Sequence, residues 1–300
     1  MNIDKQNGKI AFSEKEHCYW NVNDNKKYIS VTTLIGKFER PFDKDFWSAY
    51  KALERILPKD SWMLEKKSLL SSKKFNKELL DIYNITENEF NKVQQDILDE
   101  WQRKNIESCE RGTAKHLELE NSFYGSNRGN TLKKLGIGGK FECKRNYTEL
   151  NLENGLYPEY LISRTSDDGI LRIAGQIDLL IKQGNEIILA DWKTSEKIDK
   201  KGGFDTQSKS TAKMLYPLNN LDDSNFWHYT LQLSTYAWML QKINPDFIIK
   251  DLILYHFDHK GNETLYHCEY LKKEVERMLL YYRKQIIKEQ QREQLKRIEY

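Results

Sequence analysis

The sequence has little cysteine and nothing that pairs it. Cys18, Cys109, Cys143 and Cys268 are far apart, and none forms a CxxC. That spacing argues against a zinc or iron–sulfur framework and fits reduced thiols in a cytosolic protein. No run approaches 18 apolar residues, so no transmembrane helix is expected. The first ten residues carry neither an apolar core nor an Arg-rich amphipathic pattern, which argues against a leader peptide. Charge of one sign is scarce too. A net charge of +3 over 300 residues does not by itself indicate a nucleic-acid partner, so any basic groove is local. No internal repeat, low-complexity tract or clear domain boundary stands out. What is left is a soluble intracellular chain whose 39% hydrophobic content and seven tryptophans can fill a core.

The most informative stretch is 170–193, which reads as two antiparallel strands around Gly184-Asn185. Such a two-residue loop tolerates the positive φ a tight hairpin needs. It fixes the register, because residues whose numbers sum to 369 then face each other. Asp178 and Asp191 satisfy that sum, and their Cβ atoms are expected about 5 Å apart on one face. Like charges so placed repel, and a sheet avoids the pairing unless a cation lies between them. Lys193, two residues on, leaves the same face. Upstream, Asp168-Gly169 signals another tight turn, which places residues summing to 337 opposite one another and Glu159 opposite Asp178. The other face of the middle strand, with Leu171, Ile173, Ile177, Leu179, Ile181 and Gly175, is expected to be core.

Elsewhere, short strands are expected at 9–14, 17–22 and 27–31, then a short helix through Leu34, Ile35 and Phe38. Phe46, Trp47, Tyr50, Leu53, Ile56 and Leu57 have helical spacing, which Pro58 interrupts. A further helix is expected at 73–83. Thr86-Glu-Asn-Glu89 is a capping box, flanked by Ile85 and Phe90 at staple positions. The long helix it starts, or one continuing from it, reaches His116 and Glu120, which share a face with Gly112. The segment 125–140 reads as a loop, 141–149 as a strand and 199–227 as a long excursion. A helix at 228–242 carries Gln232 and Tyr236 at i, i+4. A hairpin at 247–257 and 263–271 and an amphipathic helix at 272–297 complete the chain. The expected division is 1–105, N-terminal strands and a helical lobe, and 106–300, the core with its C-terminal helix, with one continuous domain as the alternative.

Gly175-Gln-Ile-Asp178 followed by Asp191-Trp-Lys193 resembles the Asp…(Asp/Glu)-x-Lys signature of the PD-(D/E)XK nuclease superfamily. Gly112-Thr-Ala-Lys-His116 and Gln232-Leu-Ser-Thr-Tyr236 resemble the extra motifs of its RecB-like branch, which includes the nuclease domains of bacterial recombination helicases and the mitochondrial genome maintenance exonuclease. The likeness covers about residues 107–257. Asp178 has no preceding proline, but RecB-like members often carry Gly-x-x-Asp there. The chain lacks the cysteine pattern of the iron–sulfur subset, so no cluster is expected.

The resemblance implies an α/β, restriction-endonuclease-like core in αβββαβ order, with a central mixed sheet flanked by helices and an N-terminal helical lobe. It implies a Mg²⁺- or Mn²⁺-dependent deoxyribonuclease, with an exonuclease acting on single-stranded or end-bearing DNA expected first. A restriction-type endonuclease and a catalytically silent nucleic-acid-binding module of the same fold are the alternatives. Hard divalent ions on carboxylates activate water, neutralise the phosphate and assist the leaving oxygen. Asp178, Asp191 and the Trp192 carbonyl would be ligands, His116 a nitrogen ligand that suits Mn²⁺ slightly better, and Glu159 an outer ligand. Lys193 would orient or deprotonate the water, or stabilise developing charge. Gln232 and Tyr236 would hold the DNA backbone, and Glu120 would orient His116. In the lobe, Trp47, Trp62, Lys66, Lys67, Lys73 and Lys74 are candidates for guiding a single strand. The implied setting is the cytoplasm of a bacterial or phage-infected cell, in recombination or repair.

Overall fold

The computed structural model describes residues 5–16, 18–144, 152–205 and 209–298, the last without its side chain. The expected strands at 17–22 and 141–149 and the excursion at 199–227 therefore lie partly outside the described residues. Four short strands, β1 (Lys5–Asn7), β2 (Ile10–Ser13), β3 (Cys18–Asn21) and β4 (Lys27–Ser30), precede six helices: α1 (Val31–Gly36), α2 (Lys44–Ile56), α3 (Lys59–Ser72), α4 (Glu78–Ile82), α5 (Glu87–Tyr124) and α6 (Arg128–Lys134). Then come β5 (Gly155–Thr165), β6 (Arg172–Gln183), β7 (Glu186–Lys193), the β8 (Phe204–Asp205) and β9 (Ser210–Thr211) pair, α7 (Asn225–Ile243), β10 (Ile248–Phe257), β11 (Glu263–His267) and α8 (Lys272–Ile298). No helix among the described residues is long and apolar enough to cross a membrane.

Two compact units emerge. One comprises Met1–Glu39, Ala114–Gly202 and Lys213–Tyr300, the other Arg40–Thr113 and Gly203–Ala212. The first holds a mixed sheet in the order β1-β2-β3-β4-β6-β7-β10-β11, with β5 on the remaining edge of β6. Strands β5, β6 and β7 form the expected antiparallel meander. Helix α7 then returns the chain so that β10 runs parallel to β7, completing the αβββαβ order. Residues 1–39, expected with the lobe, group with the sheet because β4 pairs in parallel with β6 at Ile29↔Ile173 and Ser30↔Ala174.

The turns set the register. Gly184, at φ +60°, and Asn185 close a tight hairpin between Gln183 and Glu186. The other turn is longer than two residues. Ser166 N–H donates to the Leu171 carbonyl at 2.9 Å, and Gly169 N–H to the Ser166 carbonyl at 2.8 Å. Its centre is still Asp168-Gly169, so Tyr157↔Leu180 and Tyr160↔Ile177 keep the predicted sum.

Helices cover both faces, which is why the meander strands are apolar on both sides. Helices α1, α7 and α8 pack Leu34, Leu231, Leu240, Val275 and Met278 against Ile173, Ile177, Leu180 and Leu189. The end of α5 and α6 pack Leu119, Phe123, Leu132 and Leu135 against Leu179, Ile181 and Trp192. Ile177 and Leu180 thus share one cluster while Leu179 and Ile181 enter the other. The single apolar face expected of β6 is divided, because the in–out alternation slips by one residue at Asp178. Helix α6 stands where a loop was expected. Its buried Leu132 and Leu135 hold it, as does Arg128, which donates to the Phe123 and Phe141 carbonyls at 2.8 and 2.9 Å.

In the second unit, Ala49, Leu53, Leu57, Trp62, Leu69, Phe90 and Ile97 form the core. The Asp43 carboxylate caps α2 by accepting from Phe46 N–H at 2.9 Å, and Thr86 Oγ1 accepts from Glu89 N–H at 3.2 Å. Trp62, a candidate for guiding a strand, belongs to that core, whereas Trp47 carries Lys73 Nζ 4.2 Å from its ring centroid.

Candidate metal centre

On one edge of β6, β4 pairs only with Ile173 and Ala174, and β7 only from Leu179 onward. Gly175 to Asp178 lie in the gap between them. The β6–β7 ladder stops at Leu179↔Ala190, one pair short of Asp178 and Asp191. The Asp178 carboxylate turns into the opening, and its Oδ2 accepts the Trp192 N–H at 2.7 Å. The two aspartates, expected to face each other across the hairpin, are not a ladder pair and take different partners.

Asp178 is joined from β5 and α5. Its Oδ1 lies 3.6 Å from His116 Nδ1, which is also 3.6 Å from Glu159 Oε1. Glu159 interrupts the β5–β6 ladder with φ +53°, a left-handed conformation that costs a non-glycine residue about 1 kcal/mol or more. That conformation is where β5, too, changes the face its side chains take. Glu159 Oε2 accepts from Gln176 Nε2, and Lys5 Nζ stands 3.3 Å away. One ligand atom from each of His116, Glu159 and Asp178 lies within 4.8 Å of the other two.

Electrostatics follow from this crowding. Burial, with Asp191 and Glu159 adding to it, raises the Asp178 carboxyl well above the usual carboxylate range, and His116 opposes the rise. Burial disfavours the His116 imidazolium, but Asp178, Glu159 and Asp191 outweigh that and push it up to about 9. His116 keeps its proton between the Asp178 and Glu159 carboxylates, where a divalent cation would also offset their charge. A nitrogen and two carboxylate oxygens form a fitting donor set for a hard or borderline ion.

Asp191, 1% exposed, lies outside that triad. Its Oδ2 is 2.7 Å from Lys193 Nζ, and its Oδ1 accepts from Gln232 Nε2 at 2.9 Å. Lys193 Nζ also donates to Gln232 Oε1 at 3.3 Å and stands 4.7 Å from the Tyr229 ring centroid. Burial works against the ammonium, yet Asp191 and Asp178 raise its pKa, so Lys193 stays charged and donates. Gln232 and Tyr236, expected at the DNA backbone, are both buried. Gln232 ties Asp191 to Lys193, and its amide reaches Tyr236 Oη at 3.4 Å. A Cβ added to Gly175 would come 2.5 Å from the Tyr236 ring, so Gly175 is what admits that tyrosine.

Trp192 buries its indole in the core and serves the site through its main chain. Glu120, expected to orient His116, makes no hydrogen bond or ion pair with it among the described residues; burial raises its carboxyl pKa. Lys5, Gln176 and Tyr229 had no role in the sequence reading. Gln176 alone carried a signal, as the polar residue two before Asp178 on the acid face. Lys5 reaches the site only because distant strands pair.

The family model of the PD-(D/E)XK nuclease superfamily matches residues 73–299. Among solved structures, SSO0001 is similar at 14% identity and TM-score 0.31, over 85% of this chain and 76% of that one. A candidate exonuclease from Eubacterium rectale is similar at 11% identity and TM-score 0.33, over 88% and 82%. No curated protein matches the chain in sequence. With its signature residues on the αβββαβ core and well over half its length matched, the chain belongs to the PD-(D/E)XK nuclease superfamily.

Proposed function

We propose that this protein is a divalent-metal-dependent deoxyribonuclease of the RecB-like branch, acting as an exonuclease on single-stranded DNA or DNA ends. The observation that supports this reading is the convergence of His116, Glu159 and Asp178 within 4.8 Å, beside an Asp191–Lys193 pair. His116, Glu159 and Asp178 would hold Mg²⁺ or Mn²⁺, with Asp191 and the Trp192 carbonyl drawn in as the family signature implies. When bound, the ion supplies an activated water at neutral pH and neutralises charge on the phosphate.

The chain's own groups then have separable tasks. Lys193, kept as an ammonium, donates to the reacting oxygens and steadies the charge that develops there, instead of removing a proton. Gln232 accepts from Lys193 and donates to Asp191, which fixes the spacing of both. Trp192 N–H holds the Asp178 carboxylate in one orientation. Glu159, drawn toward Gln176 and Lys5, presents its other oxygen to His116.

End-labelled linear DNA and closed circular DNA incubated with Mg²⁺ or Mn²⁺ test the reading. Mononucleotide release from ends, with circles intact, is expected; opening of circles identifies an endonuclease. Asp178→Asn and Lys193→Ala are expected to abolish cutting while the protein still melts cooperatively. Full activity in both variants refutes the assignment.

A further inference from the structure

Away from the metal centre, the β5–β6 turn meets the β1–β2 turn and the end of α7 in a groove of about 460 Å³. Lys9, Arg164, Arg172 and Lys242 line it, with Ser163 and Thr165 among the polar groups. A second cavity of about 190 Å³ shares Arg164 and Lys242 and adds Trp238.

The cations are poorly matched by acids. Arg172 is paired with Asp24 at 3.0 Å. Lys242 has an aromatic neighbour, with Nζ 5.3 Å from the Trp238 ring centroid. The side chains of Lys9 and half-buried Arg164 make no hydrogen bond or ion pair among the described residues. Of the nearby acids, Asp168 is held by Arg283, and Asp167 lines the smaller cavity. A half-buried guanidinium without a carboxylate partner is partly desolvated, and an anion offsets that cost. The Trp238 indole N–H is also buried and has no acceptor. Cations that line a groove without carboxylate partners are complementary to an oxygen-rich anion. In a chain whose net charge is only +3, such a cluster is a local feature, not a spillover of general basicity.

We propose that this groove binds the phosphates of a DNA strand outside the metal centre, as an anchoring site that holds the substrate while its end is processed. The proposal rests on the nuclease reading for the identity of the polyanion. Strand β5 links the two places, since Glu159 and Arg164 are five residues apart, about 17 Å of extended chain. A duplex presents one phosphate per about 3.4 Å along each strand, so that span is on the order of five phosphates. Arg164 and Lys242 are the principal contacts and Lys9 an outer one.

The test is binding of a labelled oligonucleotide in EDTA, which stops cutting, over a salt series. In Arg164→Ala/Lys242→Ala the salt slope is expected to fall by about 1.4–1.8, from about 0.7–0.9 per contact, and affinity at physiological salt to fall about 10–30-fold. Lys9→Ala, an exposed change that leaves the fold alone, is expected to lower the slope by about 0.7–0.9. Cutting of a substrate too short to span both places is expected to keep its wild-type rate. An unchanged slope in both variants overturns the proposal, and so does a wild-type protein that binds no DNA. If inorganic phosphate or a mononucleotide competes as strongly as the oligonucleotide, the groove is a free-nucleotide site and the anchoring role is refuted. Wild-type binding without cutting refutes the metal-centre reading, while the slopes still decide the groove.

Discussion

Gly175→Ala probes how the site is held together. Only a methyl is added, but it would sit 2.5 Å from Tyr236 Cε1, 2.7 Å from its hydroxyl and 2.9 Å from Cζ. A flexible surface side chain would swing aside. Tyr236 is 3% exposed and packed in the main core cluster, so its ring has nowhere to go without moving α7 or β6. Overpacking of this kind costs about 1–3 kcal/mol, or about 2–4 °C of melting temperature per kcal/mol in a chain of this size class. The displaced hydroxyl would also disturb Gln232, and with it Asp191 and Lys193. Thermal and denaturant melts read the first effect, and nuclease rate at saturating metal reads the second. Gly129→Ala is the control: nothing lies within 4 Å of its added Cβ, and stability is expected to hold or rise by up to about 1 kcal/mol. Tyr236→Leu, combined with Gly175→Ala, is expected to recover part of the lost stability by removing the ring. If Gly175→Ala melts within about 0.5 kcal/mol of wild type, the close packing of Tyr236 on β6 is wrong.

Two further perturbations address the triad. His116 has its pKa raised from 6.5 to about 9, and that of Asp178 is raised above 3.8, so the native metal-free protein holds more protons than the unfolded chain. Both contributions are fully present at low pH and are lost as pH rises: the Asp178 share from just above pH 3.8, the His116 share between pH 6.5 and about 9. The metal-free melting temperature is therefore expected to fall from pH 6.5 to 9, and Mn²⁺ to restore it with release of protons, measured by calorimetry in buffers of different ionisation enthalpy. A flat profile that His116→Gln leaves unchanged contradicts this. Glu159→Gly relieves the φ of +53° and removes a donor, so metal affinity is expected to fall at least about 10-fold with stability changed by no more than about 1 kcal/mol. Unaltered Mn²⁺ affinity in titration removes Glu159 from the centre.

Local chemistry made much of this protein legible in advance. Gly184-Asn185 and Asp168-Gly169 set the register of the meander, because a turn and a period of two involve only neighbouring residues. Even the longer second turn preserved the register, since it lengthened symmetrically. The order of elements and the long helix behind Thr86 followed from capping and spacing. Tertiary structure alone decided where the carboxylates point. The alternation slips at Glu159 and Asp178, beside the gap that β4 and β7 leave along one edge of β6, in a sheet whose two faces are both covered by helices. Gln232, Tyr236 and Trp62 are polar or amphipathic in sequence, and only the packing around them buries them. Lys5 meets Glu159 across 154 positions of chain, a contact no local pattern encodes.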